Sequence, residues 1–181
     1  MPQLQHADAV LRAIAADDIQ AWFDYLTQPE VFEHTSWNVS SPAELQHYAW
    51  RPDEFTDDSL LRFAIACRQT NRLIGTAGFH TVSTRNRSAE IAYDLSPLFW
   101  GRGIASAACA CLTEWAHSQA GVQRVQATTL KSNTRSLKVL ERCGFEREGL
   151  LRSFRMVRGV PGDFWMFSHL AAGDASASSK A

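Results

Sequence analysis

The segment Ser96-Pro97-Leu98-Phe99-Trp100-Gly101-Arg102-Gly103-Ile104-Ala105-Ser106 constrains the fold of this chain more than any other. Before it, Ser88 to Leu95 reads as a strand. After it, Ile104, Ala108, Leu112, Trp115 and Ala116 recur at helical spacing toward Gln119. Pro97 cuts the strand short, and Gly101 and Gly103 let the backbone turn tightly and approach a ligand closely. The helix that follows begins with free N–H groups and the positive end of its dipole. A strand, a glycine turn and a helix start make an anion site that suits a pyrophosphate. Arg102 could add a charge-assisted contact. Taken alone, the segment reads equally as a tight turn before a core helix. It is not the Gly-x-Gly-x-x-Gly of dinucleotide folds, because position 106 is serine, and no Gly-Lys-Ser/Thr phosphate loop follows.

The rest of the chain alternates strand and helix signals without an internal repeat. Met1 to Gln5 reads as a frayed end or as the lead-in to an edge strand at Ala9-Val10-Leu11-Arg12. Asp17 is placed to cap a helix running to about Thr27, with Ile19, Trp22, Phe23 and Leu26 on one face. Pro29 follows the end of that pattern. Ser41, Pro42 and Glu44 form the capping box of a second helix. Strands are expected over 60–68, 72–82, 88–95 and 122–130, and helices over 103–119 and 133–143. Two last strands, 145–157 and 163–170, flank a hairpin turn at Gly159-Val160-Pro161-Gly162. That order predicts an α+β fold around a mixed sheet, not a doubly wound one. Residues 1–170 read as one domain, and Ala171 to Ala181 as a small, polar, frayed tail.

Composition removes several classes. Eighteen Lys and Arg against nineteen Asp and Glu leave a net charge of −1, without the basic surplus of a nucleic-acid binder. No basic-then-apolar leader and no apolar run of about 18 residues is visible, which gives the expectation of a soluble cytoplasmic protein away from membranes. Cys67, Cys109, Cys111 and Cys143 show no metal spacing. Cys109 and Cys111 differ by about 200° on a helix. All four read as small core residues or free thiols.

A second motif lies downstream, from Asn133-Thr134-Arg135-Ser136 to Cys143-Gly144-Phe145-Glu146-Arg147-Glu148-Gly149. Asn133 is a natural helix cap, and Ser136 falls in the first turn. Trp-Gly-Arg-Gly-Ile-Ala, paired with Asn-x-x-Ser and Gly-Phe-x-x-Glu-Gly, resembles the GCN5-related N-acetyltransferases (GNAT), most nearly their RimJ/RimL-like branch. The resemblance covers roughly residues 61–170. It implies a mostly antiparallel mixed sheet of six to seven strands, splayed into a V-shaped cofactor cleft, and acetyl-CoA as cofactor. By the resemblance, Trp100, Gly101, Arg102, Gly103, Ile104, Ala105 and Ser106 hold the pyrophosphate. Asp94 and Leu95 offer backbone to the pantetheine arm beside a β-bulge, and Asn133 contacts the pantetheine or water. It leaves a homodimer open.

The reaction implied is direct attack of a primary amine, from a peptide N-terminus or a small molecule, on the acetyl thioester. The amine must lose a proton, and the thiolate must gain one. The tyrosine acid that many relatives carry seven residues after the asparagine is Leu140 here, so Ser136 is the expected proton donor. Glu90 is the expected base, acting through water, with Asp94 and His80 as weaker candidates. Arg152 and Arg155 stand where some relatives place a glutamate, and they read either as a solvated strand face or as a receiver for an acidic group on the substrate. Phe32, Trp37, Tyr48 and Trp50 read either as packing or as an apolar acceptor wall, with His34 and His47 nearby. Two other readings stay open: a non-catalytic CoA-binding sensor or partner protein on the same fold, and a binder of another nucleotide.

Overall fold

The computed structural model describes residues 1–49, 55–57 and 60–172. Trp50 and residues 173–181 of the expected tail lie outside the described residues. Seven strands form one sheet: β1 (Ala9–Arg12), β2 (Leu61–Cys67), β3 (Leu73–Ser83), β4 (Ser88–Leu95), β5 (Arg124–Leu130), β6 (Glu146–Val157) and β7 (Val160–Leu170). Their order is β1-β2-β3-β4-β5-β7-β6, and every neighbouring pair is antiparallel except β4 and β5. The α+β expectation holds.

One face of the sheet carries α3 (Ile104–Ser118), which buries Ile104, Ala108, Leu112 and Ala116 against Ile65, Phe79, Ile91 and Val125. The other face carries α1 (Asp18–Leu26) and a 3-10 helix (Pro42–Tyr48), whose Trp22, Tyr25, Leu45 and Tyr48 pack on Ala64. The remaining helices among the described residues are α2 (Pro29–Phe32), a short 3-10 turn (Pro97–Phe99) and α4 (Thr134–Arg142).

Several local expectations are corrected. Asp17 makes no capping bond. Asp18 instead accepts from the Ala15 N–H at 2.8 Å and from both Nη atoms of Arg12 at 2.5 and 2.8 Å. The second helix starts as expected, with Glu44 accepting the Ser41 N–H at 3.1 Å, but it winds as a 3-10 helix. The last hairpin turns at Arg158-Gly159, because both residues adopt positive φ (52° and 79°), as a two-residue type I′ loop requires. Pro161 and Gly162 therefore belong to β7. β5 reaches only as far as Phe164, so the N–H that Pro161 lacks is not needed there.

The sheet opens in its middle. β4 and β5 pair only over Ser88–Glu90 with Arg124–Gln126, then part. The irregularity is not at Asp94 and Leu95, as expected, but at His80 of β3, against the Glu90–Ile91 step. Glu90 closes the apex of this V. It accepts from Thr128 Oγ1 at 2.6 Å, Arg155 Nη2 at 3.1 Å and Gln126 Nε2 at 3.4 Å, and it lies 3.3 Å from His80 Nε2. Burial alone would raise its pKa. The hydrogen bond and charge of His80, the Thr128 hydroxyl and the Arg155 charge overcome burial and hold it at about 2.

A second polar cluster pins the helical layer to the sheet. The Asp94 carboxylate accepts from Arg62 and Tyr25, from Thr76 at 2.8 Å and from the Trp22 indole at 3.2 Å. Arg62 also donates to Thr76 at 2.7 Å. The Arg62 guanidinium sits within the rings of Trp22, Trp37 and Tyr48, 5.0–5.9 Å from their centroids. Both charged side chains are 7% exposed. Removing one member of such a pair costs about 3–5 kcal/mol, because the other charge stays buried. Asp94→Ala is expected to lose about that much in urea denaturation. Arg62→Met should lose less, since Trp22, Tyr25 and Thr76 still donate to Asp94. Equal losses would contradict this ranking.

Glu90 gives a pH signature. Its pKa is lowered on folding, from 4.5 to about 2, so its stabilisation is complete above 4.5 and fades as pH falls through about 2. Stability curves of wild type and Glu90→Gln should therefore converge over that interval. A constant gap down to the lower limit would remove Glu90 from the acid transition.

Candidate active site

Two cavities flank the open half of β4. The first, about 350 Å³, lies against the glycine turn and α4. Leu95, Trp100, Gly101, Gly103, Ile104, Ala105 and Ser106 line one wall, and Arg135, Lys138, Val139 and Arg142 the other. Gly101 and Gly103 have φ of 76° and 77°, which only glycine adopts freely, and the space where their Cβ atoms would stand is open. Among the described residues, no protein acceptor takes the N–H groups of Gly101 to Ser106. The Trp100 indole donates to the Leu95 carbonyl at 2.8 Å and folds the turn back on the strand end. That carbonyl, expected to face a pantetheine arm, thus already accepts one hydrogen bond and keeps a second lone pair. Arg102 does not line the cavity; its guanidinium lies outward over Phe99, at 5.2 Å.

The second cavity, about 390 Å³, fills the gap between β4 and β5 beneath the helical layer. Trp37, Tyr48, Arg62, His80, Thr128, Arg155 and Phe164 line it. Trp37 and Tyr48 form an aromatic wall with Trp22, at ring separations of 5.2–5.8 Å. Phe32 instead lies under Arg158, 4.8 Å away. Arg158 donates to the carbonyls of Phe32, Glu33 and Thr35 at 2.9–3.1 Å, tying the β6–β7 hairpin to the chain that covers the cavity.

The cavities share His34, Thr35, Tyr93, Asp94, Asn133 and Ser136, so they meet there. Asn133 caps α4 by accepting the Ser136 N–H at 3.0 Å, and it donates to the His34 carbonyl at 3.1 Å. Ser136 Oγ lies 3.0 Å from the Tyr93 hydroxyl. Burial pushes the Tyr93 phenol well above its ordinary range, so it stays protonated. His34 Nδ1 is buried at this junction and finds no partner among the described residues.

Of the residues singled out by sequence, the structure brings Ser136, Asn133, Asp94, Leu95, Trp100, Gly101, Gly103, Ile104, Ala105 and Ser106 to the cavities. Glu90 lines neither, and its oxygens are occupied by the apex contacts. His80 faces the second cavity, but its ring nitrogens lie against Glu90 and the Thr81 hydroxyl. Tyr93 and the cationic wall were missed. Arg135, Lys138 and Arg142 recur at i, i+3 and i+7, a single helix face readable from spacing alone. Tyr93 carried no such signal, because its partner lies 43 positions away. The cysteines are free thiols: Cys109 is buried, while Cys111 and Cys143 donate to the carbonyls of Gln3 and Ser106. No metal-ligand cluster occurs among the described residues.

The chain matches the family model for the acetyltransferase (GNAT) domain over residues 8–146. It is 32% identical to the uncharacterized N-acetyltransferase p20 of Bacillus licheniformis over 164 residues, covering 88% of this chain and 91% of that one. The fold superposes on the spermidine N-acetyltransferase of Vibrio cholerae, solved with CoA and spermine, at a TM-score of 0.77 and 19% identity, over 92% of this chain and 97% of that one. It superposes equally on the ribosomal-protein-S5-alanine acetyltransferase of Vibrio fischeri, at 0.75 and 17%, over 93% and 96%. Ribosomal-protein and polyamine enzymes thus fit alike, and the RimJ/RimL-like branch is not singled out. With the family model spanning most of its length and the sheet opened between two joined cavities, this chain belongs to the GNAT acetyltransferases.

Proposed function

We propose that this protein transfers the acetyl group of acetyl-CoA to a primary amine, a peptide N-terminus or a small molecule, by direct attack within a ternary complex. The observation that carries the reading is the meeting of two cavities at the Ser136 hydroxyl. One is lined by uncommitted N–H groups and cations, and the other by aromatic and polar side chains.

The first cavity fits acetyl-CoA. The N–H groups from Gly101 to Ser106 suit a pyrophosphate, and Arg135, Lys138 and Arg142 supply the countercharge. Arg135 stacks on Trp100 at 4.2 Å, which fixes its direction. Among the described residues, the edge of β4 beyond Glu90 has no strand partner on its β5 side, leaving room for an extended chain to pair there. Bound acetyl-CoA supplies the activated thioester.

At the junction, His34 takes the proton that the attacking amine releases; its unpaired Nδ1 supports that role. As the C–S bond breaks, Ser136 gives its hydroxyl proton to the sulfur, and the serine oxygen regains a proton from solvent as the products leave. The Tyr93 hydroxyl stabilises the serine oxygen left behind, standing in for the absent tyrosine at position 140. Glu90 serves the site indirectly, by closing the apex from which β4 and β5 diverge.

The test is amine-dependent thiol release from acetyl-CoA over a panel of peptides and small amines. Ser136→Ala is expected to lower kcat about tenfold or more, with acetyl-CoA affinity nearly intact. Tyr93→Phe and His34→Ala should each lower kcat in the same way. An unchanged rate removes that residue from the mechanism. Acetyl-CoA binding without thiol release from any amine would leave a non-catalytic CoA-binding module.

A further inference from the structure

β6 does not run straight past the second cavity. Its pairing with β7 passes from Leu151↔Phe164 to Arg155↔Gly162, so residues 152–154 stand opposite Asp163 alone. Ser153 takes a φ of 49°, rare for a residue with a side chain, and its N–H donates to Asp163 Oδ1 at 2.9 Å. A bulge of this kind re-aims side chains, and here the next residue to pair is Arg155, whose side chain lines the acceptor cavity.

The Arg155 guanidinium is held on three sides. It lies over the rings of Phe154 and Phe164, 4.9 and 5.8 Å from their centroids, and Nη2 donates to Glu90 at 3.1 Å. Among the described residues, Nη1 and Nε have no acceptor. A planar cation fixed by rings and one carboxylate, with an uncommitted edge at a cavity, matches the geometry of a second carboxylate.

The carboxylates near the cavity are spent. Asp94 lines it but already accepts from Trp22, Tyr25, Arg62 and Thr76. Glu90 lies behind the wall, engaged by Thr128, Gln126, His80 and Arg155. Among the described lining residues, a polycationic amine finds no open carboxylate, whereas an anionic group finds Arg155.

We propose that the acceptor carries a carboxylate beside its amine, as a free amino acid does, that the open edge of Arg155 receives this carboxylate, and that polyamines are rejected. This rests on the acetyl-transfer reading above.

The experiment measures thiol release from saturating acetyl-CoA with L-phenylalanine, L-methionine, their methyl esters and spermidine. A thermal-shift titration with acetyl-CoA runs alongside. Free acids should exceed their esters by about tenfold or more in kcat/KM, and spermidine should stay at background. Arg155→Met should bring the acid-to-ester ratio to about one, chiefly by raising KM for the acid. Spermidine turned over as well as the acids, or esters used as well as acids by the wild type, overturns the proposal without any variant. Acetyl-CoA stabilisation with no acid turned over overturns it too and leaves the cofactor reading standing. Absence of that stabilisation takes down the cofactor reading, and with it the acetyl-transfer reading.

Discussion

The buried pair of Arg62 and Asp94 is the interaction on which the rest of the site depends. It joins β2 to β4 through Thr76 of β3 and reaches into the helical layer through Trp22 and Tyr25 of α1. A charge pair this deep is a weak source of net stability, because desolvation offsets most of the attraction. Its value is positional. Every donor around Asp94 is satisfied only when α1 sits in one place on the sheet, and the aromatic cage around Arg62 sets Trp37 and Tyr48 as the cavity wall. An apolar contact of the same size would allow the helical layer to slide.

A second constraint works at right angles to the first. Parallel strands β4 and β5 pair for three residues and then separate, which leaves backbone without ladder partners on both sides of the gap. Such an opening costs free energy unless something secures its closed end. Glu90 does so, drawing in side chains from β3, β5 and β6 at the point of divergence. The open end is bounded by the α4 cap at Asn133 and by the segment that Arg158 and Asn133 hold through its carbonyls. The gap is therefore a notch whose anionic apex, Glu90, is held by Arg155, Thr128, Gln126 and His80.

Local signals carried much of this into the sequence. The alternation of Ser88–Leu95, the glycines at 101 and 103 and the helical repeat after Ile104 describe the glycine-turn wall almost completely, because each depends on near neighbours in the chain. Asn133 and Ser136 were readable for the same reason, as a cap and its third residue. Glu90 shows the limit. As a lone glutamate on a strand it resembled a base, but its environment comes from His80, Thr128 and Arg155, which the sheet alone assembles. Tyr93 was silent until β4 and α4 met, and the hairpin turn sits at Arg158-Gly159 because those two residues take positive φ, while β5 ends early enough to leave Pro161 in β7. Asp17 and Asp18 differ by one position, yet only Asp18 reaches Arg12.

The most direct measurement is a thermal-shift titration of the purified protein with acetyl-CoA, with ATP and NAD as controls. A ligand at one hundred times its dissociation constant adds about 2.7 kcal/mol. For a chain of this length each kcal/mol raises the melting temperature by roughly 2–4 °C. A rise of several degrees with acetyl-CoA, and little with ATP or NAD, is the predicted result. No rise at millimolar acetyl-CoA would contradict the assignment of the glycine-turn cavity, and with it the acetyl-transfer reading.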